Sequence, residues 1–301
     1  MDHLLEISEL TQYEIIGLIQ RALYFKQEKD YPRYPQHTVA NLFYENSTRT
    51  RVSFEIAANN LSMPVINLDL QSSSESKGEV IEDTFLTLGA MGISLFVIRH
   101  AQEHIQQWLA SKCSADMHII NAGDGKHAHP SQALLDMMTI IENKPHLEQL
   151  KIAIVGNIKH SRVANSLQSI CSLLGVGELT LIAPPIWQPD SVQYGRIADN
   201  LENGIKDADV VICLRVQHER LLVDEELELT NYHQDYGLTQ KTLAYAKADA
   251  MVMHPGPMNR GVEIDSDVAD GEQSFILQQV ENGVFMRMAI LEALIQDGAL
   301  T

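Results

Sequence analysis

The chain has 301 residues, 45% of them hydrophobic and 21% charged, and a net charge of −18, a globular composition with room for two domains and unlike that of a disordered segment. So acidic a surface excludes general nucleic-acid binding, since phosphate backbones need a basic partner. No apolar run reaches the roughly 18 to 20 residues that span a bilayer, and Met1-Asp2-His3 lacks a signal peptide's basic start, so a cytoplasmic protein without a membrane partner is expected.

In chain order, Thr11 to Gln27 is predicted as an amphipathic helix, with Ile15, Ile16, Leu18, Ile19, Ala22 and Leu23 on its apolar face. Strands are expected at Val39–Phe43, Val65–Leu68, Leu95–Ile98 and His118–Ile120, separated by helices at Val52–Leu61, Val80–Met91 and Gln102–Ala110. Alternation of this kind predicts a parallel α/β sheet that binds ligands at the carboxyl ends of its strands. The first such end carries Glu45-Asn46-Ser47-Thr48-Arg49-Thr50-Arg51, with hydroxyls, backbone donors and two guanidinium groups at a helix start. Such a start suits a phosphate, although an ordinary Ser/Thr N-cap followed by solvated arginines has the same local pattern. In so acidic a molecule, a phosphate must be attracted by positive groups within about 8 Å, the screening length at physiological salt.

A helix from Ser131 to Glu142 leads to a domain junction near Asn143-Lys144-Pro145. A second series follows, with strands at Lys151–Gly156, Leu179–Ile182, Asp209–Leu214 and Ala250–Met253 and a helix from Arg162 to Leu174. The turn after Val155 has only Gly156 of the three glycines in a dinucleotide fingerprint, which argues against a nicotinamide oxidoreductase. Arg162 opens the next helix instead and suits a small carboxylate. Residues 215–236 form a long polar stretch, expected to be a functional or mobile loop. The last helix, from about Gly283 to Gln296, is apolar and expected to pack back on the first domain. Cys113, Cys171 and Cys213 are widely spaced and show no ligand pattern, so they are read as small buried hydrophobes, with neither disulfides nor a zinc site expected.

Further chemistry-bearing segments fall at predicted strand ends: Ser73 to Lys77 in a serine-rich loop, Arg99-His100, His129-Pro130-Ser131-Gln132, and Arg215-Val216-Gln217. Taken singly, they read as a solvated loop, a strand-end cation, an N-cap and a surface arginine. Together with Ser47-Thr48-Arg49-Thr50, Lys77-Gly78-Glu79, Asn121-Ala122-Gly123-Asp124-Gly125, His129 to Asp136 and His254-Pro255-Gly256-Pro257, they make the chain closely resemble the aspartate/ornithine carbamoyltransferase family over nearly its whole length. The resemblance implies two Rossmann-like parallel-sheet αβα domains with the active site between them. Residues 1–141 would bind carbamoyl phosphate and 142–301 the amino-acid acceptor.

Within that family, charge favours L-aspartate as acceptor, and the resemblance then implies a step of pyrimidine biosynthesis. Its two carboxylates need cations, and Arg162 and Arg215, assisted by Gln217, match the arginines the family uses. Ornithine would instead need an acidic partner and a cysteine-bearing His-Cys-Leu-Pro segment, whereas residues 254–257 here contain no cysteine. Glu45 points the same way; Gly256 and Val163 depart from residues common in relatives without removing a charge. By resemblance, Ser47, Thr48, Arg49 and Thr50 hold the phosphate, while Thr50, Arg99 and His129 polarise the carbonyl. Gln132 and the Pro255 carbonyl, next to Gly256, hold the carbamoyl nitrogen. Surrounding arginines favour His129 as a neutral donor over a general base. Ser73 and Lys77 would reach into the site of a neighbouring copy in a homotrimer, and residues 215–236 would act as a lid. No cofactor or metal is implied, and regulatory chains are possible partners. An ornithine or other amino-acid transcarbamylase and a non-catalytic scaffold subunit are the alternatives.

Overall fold

The computed structural model describes residues 1–68, 80–216 and 231–296. The chain divides into two compact units, residues 1–138 with the chain from Glu281 onward, and residues 139–280. Both divisions fall inside helices.

The first unit opens with α1 (Gln12–Glu28), whose start is fixed by a reciprocal cap between Thr11 and Glu14. Then β1 (Val39–Phe43), α2 (Thr48–Asn60), β2 (Val65–Leu68), α3 (Ile81–Ala90), β3 (Leu95–His100), α4 (Ile105–Ala110) and β4 (His118–Asp124) alternate, and α5 (Pro130–Asn143) leads out of the unit. The four strands form a wholly parallel sheet in the order β2-β1-β3-β4. All five residues of β1 are buried, as expected of a strand covered on both faces. Phe85, Phe96, Ile98, Leu109 and Ile119 belong to the core around it.

The second unit continues with β5 (Lys151–Val155), α6 (Arg162–Leu174), β6 (Glu178–Ile182), β7 (Arg196–Ala198), α7 (Leu201–Ile205), β8 (Val210–Cys213) and β9 (Met251–Met253), with short helical turns between the last strands. Its sheet is also parallel, in the order β7-β6-β5-β8-β9. The long α8 (Ile276–Ile295) ends the described chain. Within the first unit, Glu292 of α8 accepts from Arg21 Nε and Nη2 at 2.6 and 2.8 Å and from the Tyr34 hydroxyl at 2.7 Å.

The predicted strands and long helices are present, with informative shifts. β4 runs on to Asp124, although Asn, Gly and Asp are poor strand formers, because Asn121 Nδ2 donates to Leu5 O at 2.8 Å and its Oδ1 accepts from Gly123 N at 2.8 Å. α4 starts three residues later than predicted, after His104 in the left-handed region at φ 65°. The predicted start of the last helix, Gly283, lies inside α8; the Arg287 guanidinium covers this position, donating to Gly283 O at 2.9 Å. The edge strand β7 was not anticipated, being three residues long and polar at its start. Cys171 and Cys213 are buried, but Cys113 is partly exposed.

Candidate functional site

Each sheet reverses its strand order once, and ligands of such sheets bind outside the carboxyl ends at that point. In the first unit the reversal lies between β1 and β3. The β1 end runs directly into the Ser47–Thr50 segment. Ser47 occupies the N-cap position of α2, yet its side chain makes no cap hydrogen bond. The first-turn N–H groups thus precede the helix's first bond, from Arg51 N to Ser47 O at 3.3 Å, and point outward at the positive end of the dipole. No acidic residue sits in this turn. Thr48 and Arg49 are exposed and Thr50 is buried, with Ser53 Oγ donating back to Arg49 O and Thr50 O at 2.7 and 3.0 Å.

Register brings Arg99 to the same place: it pairs with Phe43 across β1 and β3, and Tyr44 N donates to Arg99 O at 2.9 Å. Arg99 Nε lies 3.2 Å from Glu45 Oε2, which holds the guanidinium at the sheet edge. On the far side of β3, the β4 end leads to His129, buried immediately before α5. One turn into α5, Gln132 donates through Nε2 to Asp136 Oδ1 at 2.8 Å. A carboxylate only accepts, so this bond assigns the Gln132 amide orientation and leaves Oε1 as the acceptor end. Asp136 is itself fully buried near Arg287, whose guanidinium lies 5.0 Å from the Phe54 ring of α2. Burial pulls the Arg287 pKa down to about 10, with Asp136 acting in the opposite direction.

In the second unit the reversal lies between β5 and β8. After β5, Gly156 adopts φ 139°, where a Cβ would come within 2.9 Å of Leu214, so only glycine lets the two strand ends approach this closely. Arg162 follows as the first residue of α6 and is buried. Here the N-cap serine does cap: Ser161 Oγ accepts from Ala164 N at 3.2 Å. Arg215 follows β8, whose Cys213 pairs with Val155. The two arginines therefore leave adjacent strand ends.

A buried glutamate holds this edge together. Glu263 accepts from Val216 N at 3.4 Å, from Asn259 N, and from His254 Nε2 at 3.2 Å. His254 Nδ1 accepts from Gly256 N at 2.8 Å, which fixes the tautomer with the proton on Nε2 and shapes the Pro255–Gly256 turn. Asn259 Nδ2 donates to Val216 O at 2.9 Å and closes the network onto the residue after Arg215.

Of the residues singled out from the sequence, Ser47, Thr48, Arg49, Thr50 and Arg99 gather at one switch point, with His129 and Gln132 on the next strand's exit. Arg162 and Arg215 gather at the other, and Pro255 and Gly256 are tied to the segment after Arg215. Ser73, Lys77 and Gln217 lie outside the described residues. Asp136 closes the His129–Asp136 motif but was given no role of its own; Glu263 and Arg287 were not predicted to matter here, since they are separated in sequence from the residues they support and no motif marks them.

Two parallel α/β units, each with arginines at the strand ends of its switch point, define the class. The chain belongs to the aspartate/ornithine carbamoyltransferase family: residues 2–142 match that family's carbamoyl-P binding domain and residues 148–294 its Asp/Orn binding domain. It is 68% identical over 295 residues to the aspartate carbamoyltransferase catalytic subunit of Legionella pneumophila (strain Corby), covering 98% of this chain and 99% of that one. The corresponding subunit of Coxiella burnetii (strain Dugway 5J108-111) is 48% identical over 297 residues, covering 96% and 95%. Among solved structures, aspartate transcarbamoylase from Trypanosoma cruzi in complex with carbamoyl aspartate and phosphate superposes with a TM-score of 0.89 at 27% identity, covering 98% and 96%.

Proposed function

We propose that this chain transfers the carbamoyl group of carbamoyl phosphate to the α-amine of L-aspartate, giving N-carbamoyl-L-aspartate and phosphate. The observation that carries the reading is the pair of switch points, one built for a phosphate and the other presenting two guanidinium groups. The products are those bound to the Trypanosoma cruzi relative.

The first unit takes carbamoyl phosphate. The α2 N-terminus, with Ser47, Thr48, Arg49 and Thr50, receives the phosphate. Thr50, Arg99 and His129 donate to the carbonyl oxygen. The carbamoyl NH2 is a donor, and Gln132 Oε1, left over from the bond to Asp136, accepts from it along with the Pro255 carbonyl beside Gly256. In the second unit, Arg162 and Arg215 hold the two aspartate carboxylates, with Gln217 assisting. The neutral amine attacks the carbonyl carbon and a C–N bond forms. The oxygen carries the negative charge of the tetrahedral intermediate, and donors fixed in advance stabilise that charge. The C–O bond to phosphate then breaks, and the phosphate takes the proton from the new amide nitrogen. All these groups are the chain's own, so no cofactor enters the scheme.

The same proposal includes a cytoplasmic homotrimer, in which Ser73 and Lys77 complete the site of the adjacent copy. Its support is the resemblance at Lys77-Gly78-Glu79. Two measurements test the reading. Purified protein should form carbamoyl aspartate and give a solution mass of three chains; turnover of ornithine and not aspartate would overturn the acceptor assignment. Hybrids of Lys77→Ala and Arg49→Ala chains should regain activity at interfaces that pair an intact loop with an intact cradle. Verified hybrids without activity would place Lys77 within its own site.

A further inference from the structure

Within the first unit, Glu6, His104 and His127, none of them assigned to the reaction, bring one carboxylate oxygen and two ring nitrogens within 4.8 Å of one another. The three come from distant parts of the sequence, and cysteine spacing gave no hint of them. We propose that they form a binding site for one divalent cation of the zinc class.

The donor set fits that chemistry. Two imidazoles and one carboxylate are a common zinc-ligand set, with ligand atoms about 2.0 to 2.2 Å from the metal and therefore roughly 3.3 Å apart in a tetrahedral arrangement, and water in the fourth position. Glu6 Oε1 and His127 Nε2 are 2.6 Å apart, sharing a proton that a metal ion would replace. The His104 and His127 rings are neighbours, with centroids 4.5 Å apart, and since the donor atoms already lie within 4.8 Å of one another a side-chain movement of at most roughly 1.5 Å brings the third into range. Glu6 and His127 are partly buried and His104 is exposed, which leaves a path for the ion and its water. The acidic field of the whole molecule attracts a cation as surely as it repels phosphate.

The backbone holds the ligands in place before any ion arrives. Asp124 Oδ1 accepts from His104 N at 2.9 Å, and Asp124 O accepts from His127 N at 2.8 Å, so one residue positions both histidines. Beside them, Glu103 Oε1 accepts from Lys126 N at 3.2 Å. Gly125, at φ 44°, allows the two turns to meet: a Cβ there would lie 2.4 Å from the Glu103 side chain. Glu6 is delivered by the N-terminal segment, which is anchored to β4 through Leu4 N to Ile119 O and Asn121 N to Leu4 O, both 2.8 Å. A bound cation would thus clamp the N-terminal segment to the turn that leads into His129.

The test uses full-length protein stripped with a chelator and titrated with zinc chloride by calorimetry, with Co2+ absorption as a spectroscopic check of imidazole ligation. One zinc per chain is expected. His104→Ala and His127→Ala should each weaken it at least about tenfold, and zinc should raise the thermal midpoint of the parent chain but not of His104→Ala. His146→Ala, at a histidine outside the cluster, should bind as the parent does. His104 is exposed, so its variant keeps the test valid even where His127→Ala folds poorly. A parent chain that takes up no zinc, or uptake unchanged in His104→Ala, would overturn the site and leave the Glu6–His127 contact as a plain ion pair.

Discussion

On the proposed reading, the two switch points face the same physical problem, an anion in an acidic protein, and differ in the donors they offer it. Both follow a buried parallel strand with a serine at the N-cap of the next helix. Ser161 caps α6 and consumes one of its first-turn N–H groups, which leaves the Arg162 and Arg215 side chains as the anion partners proposed there. Ser47 makes no such bond, and the proposed phosphate would meet first-turn N–H groups of α2 that no N-cap side chain has taken. A phosphate offers many acceptor oxygens to a ring of backbone donors, whereas a carboxylate pairs best with a planar guanidinium.

The largest effect that would break this contrast is at the first switch point. Arg49→Ala should lower turnover by at least about 100-fold, because charge-assisted bonds of about 1.5 to 3 kcal/mol each are lost. Near-normal rates at low carbamoyl phosphate would contradict the cradle. At the second switch point, Arg215→Ala should weaken aspartate about 10- to 100-fold while leaving carbamoyl phosphate binding unchanged. Separate binding measurements decide this, and equal losses for both ligands would erase the division of labour.

Glu263→Gln probes the scaffold beneath the second site. The new amide would turn a donor towards backbone N–H groups or His254 in a buried position, and urea unfolding should register a loss of about 1 to 3 kcal/mol. Aspartate affinity should fall with it, since Val216 is anchored to the same carboxylate. The smallest effects sharpen the comparison most directly. Ser161→Ala should cost about 1 kcal/mol of stability as a lost cap, with little change in phosphate affinity. Ser47→Ala should do the reverse, sparing stability and weakening phosphate. If both variants lose stability alike, Ser47 caps α2 in solution and the contrast fails.

Much of this was legible in the sequence. Buried strands such as Val39–Phe43 and Lys151–Val155 announce themselves as short apolar runs, and Ser47-Thr48-Arg49-Thr50 marks a helix start with anion chemistry. The Gln132 orientation was not legible, because it depends on Asp136, whose role is set by burial beside Arg287 on a helix some 150 residues away. Glu263 escaped notice for the same reason. A lone glutamate in a polar stretch looks solvated until three donors are found around it.

The sequence by itself therefore determined the order of the longer strands and helices, the family and the residue types at each strand end, since these follow from local periodicity and contiguous motifs. Only the tertiary structure decided which strand ends share a switch point, that Ser161 caps while Ser47 does not, which buried carboxylates hold the site residues, and that Glu6, His104 and His127 meet. Those outcomes depend on distances between residues far apart along the chain, and such distances are fixed by strand register and core packing, not by any local pattern.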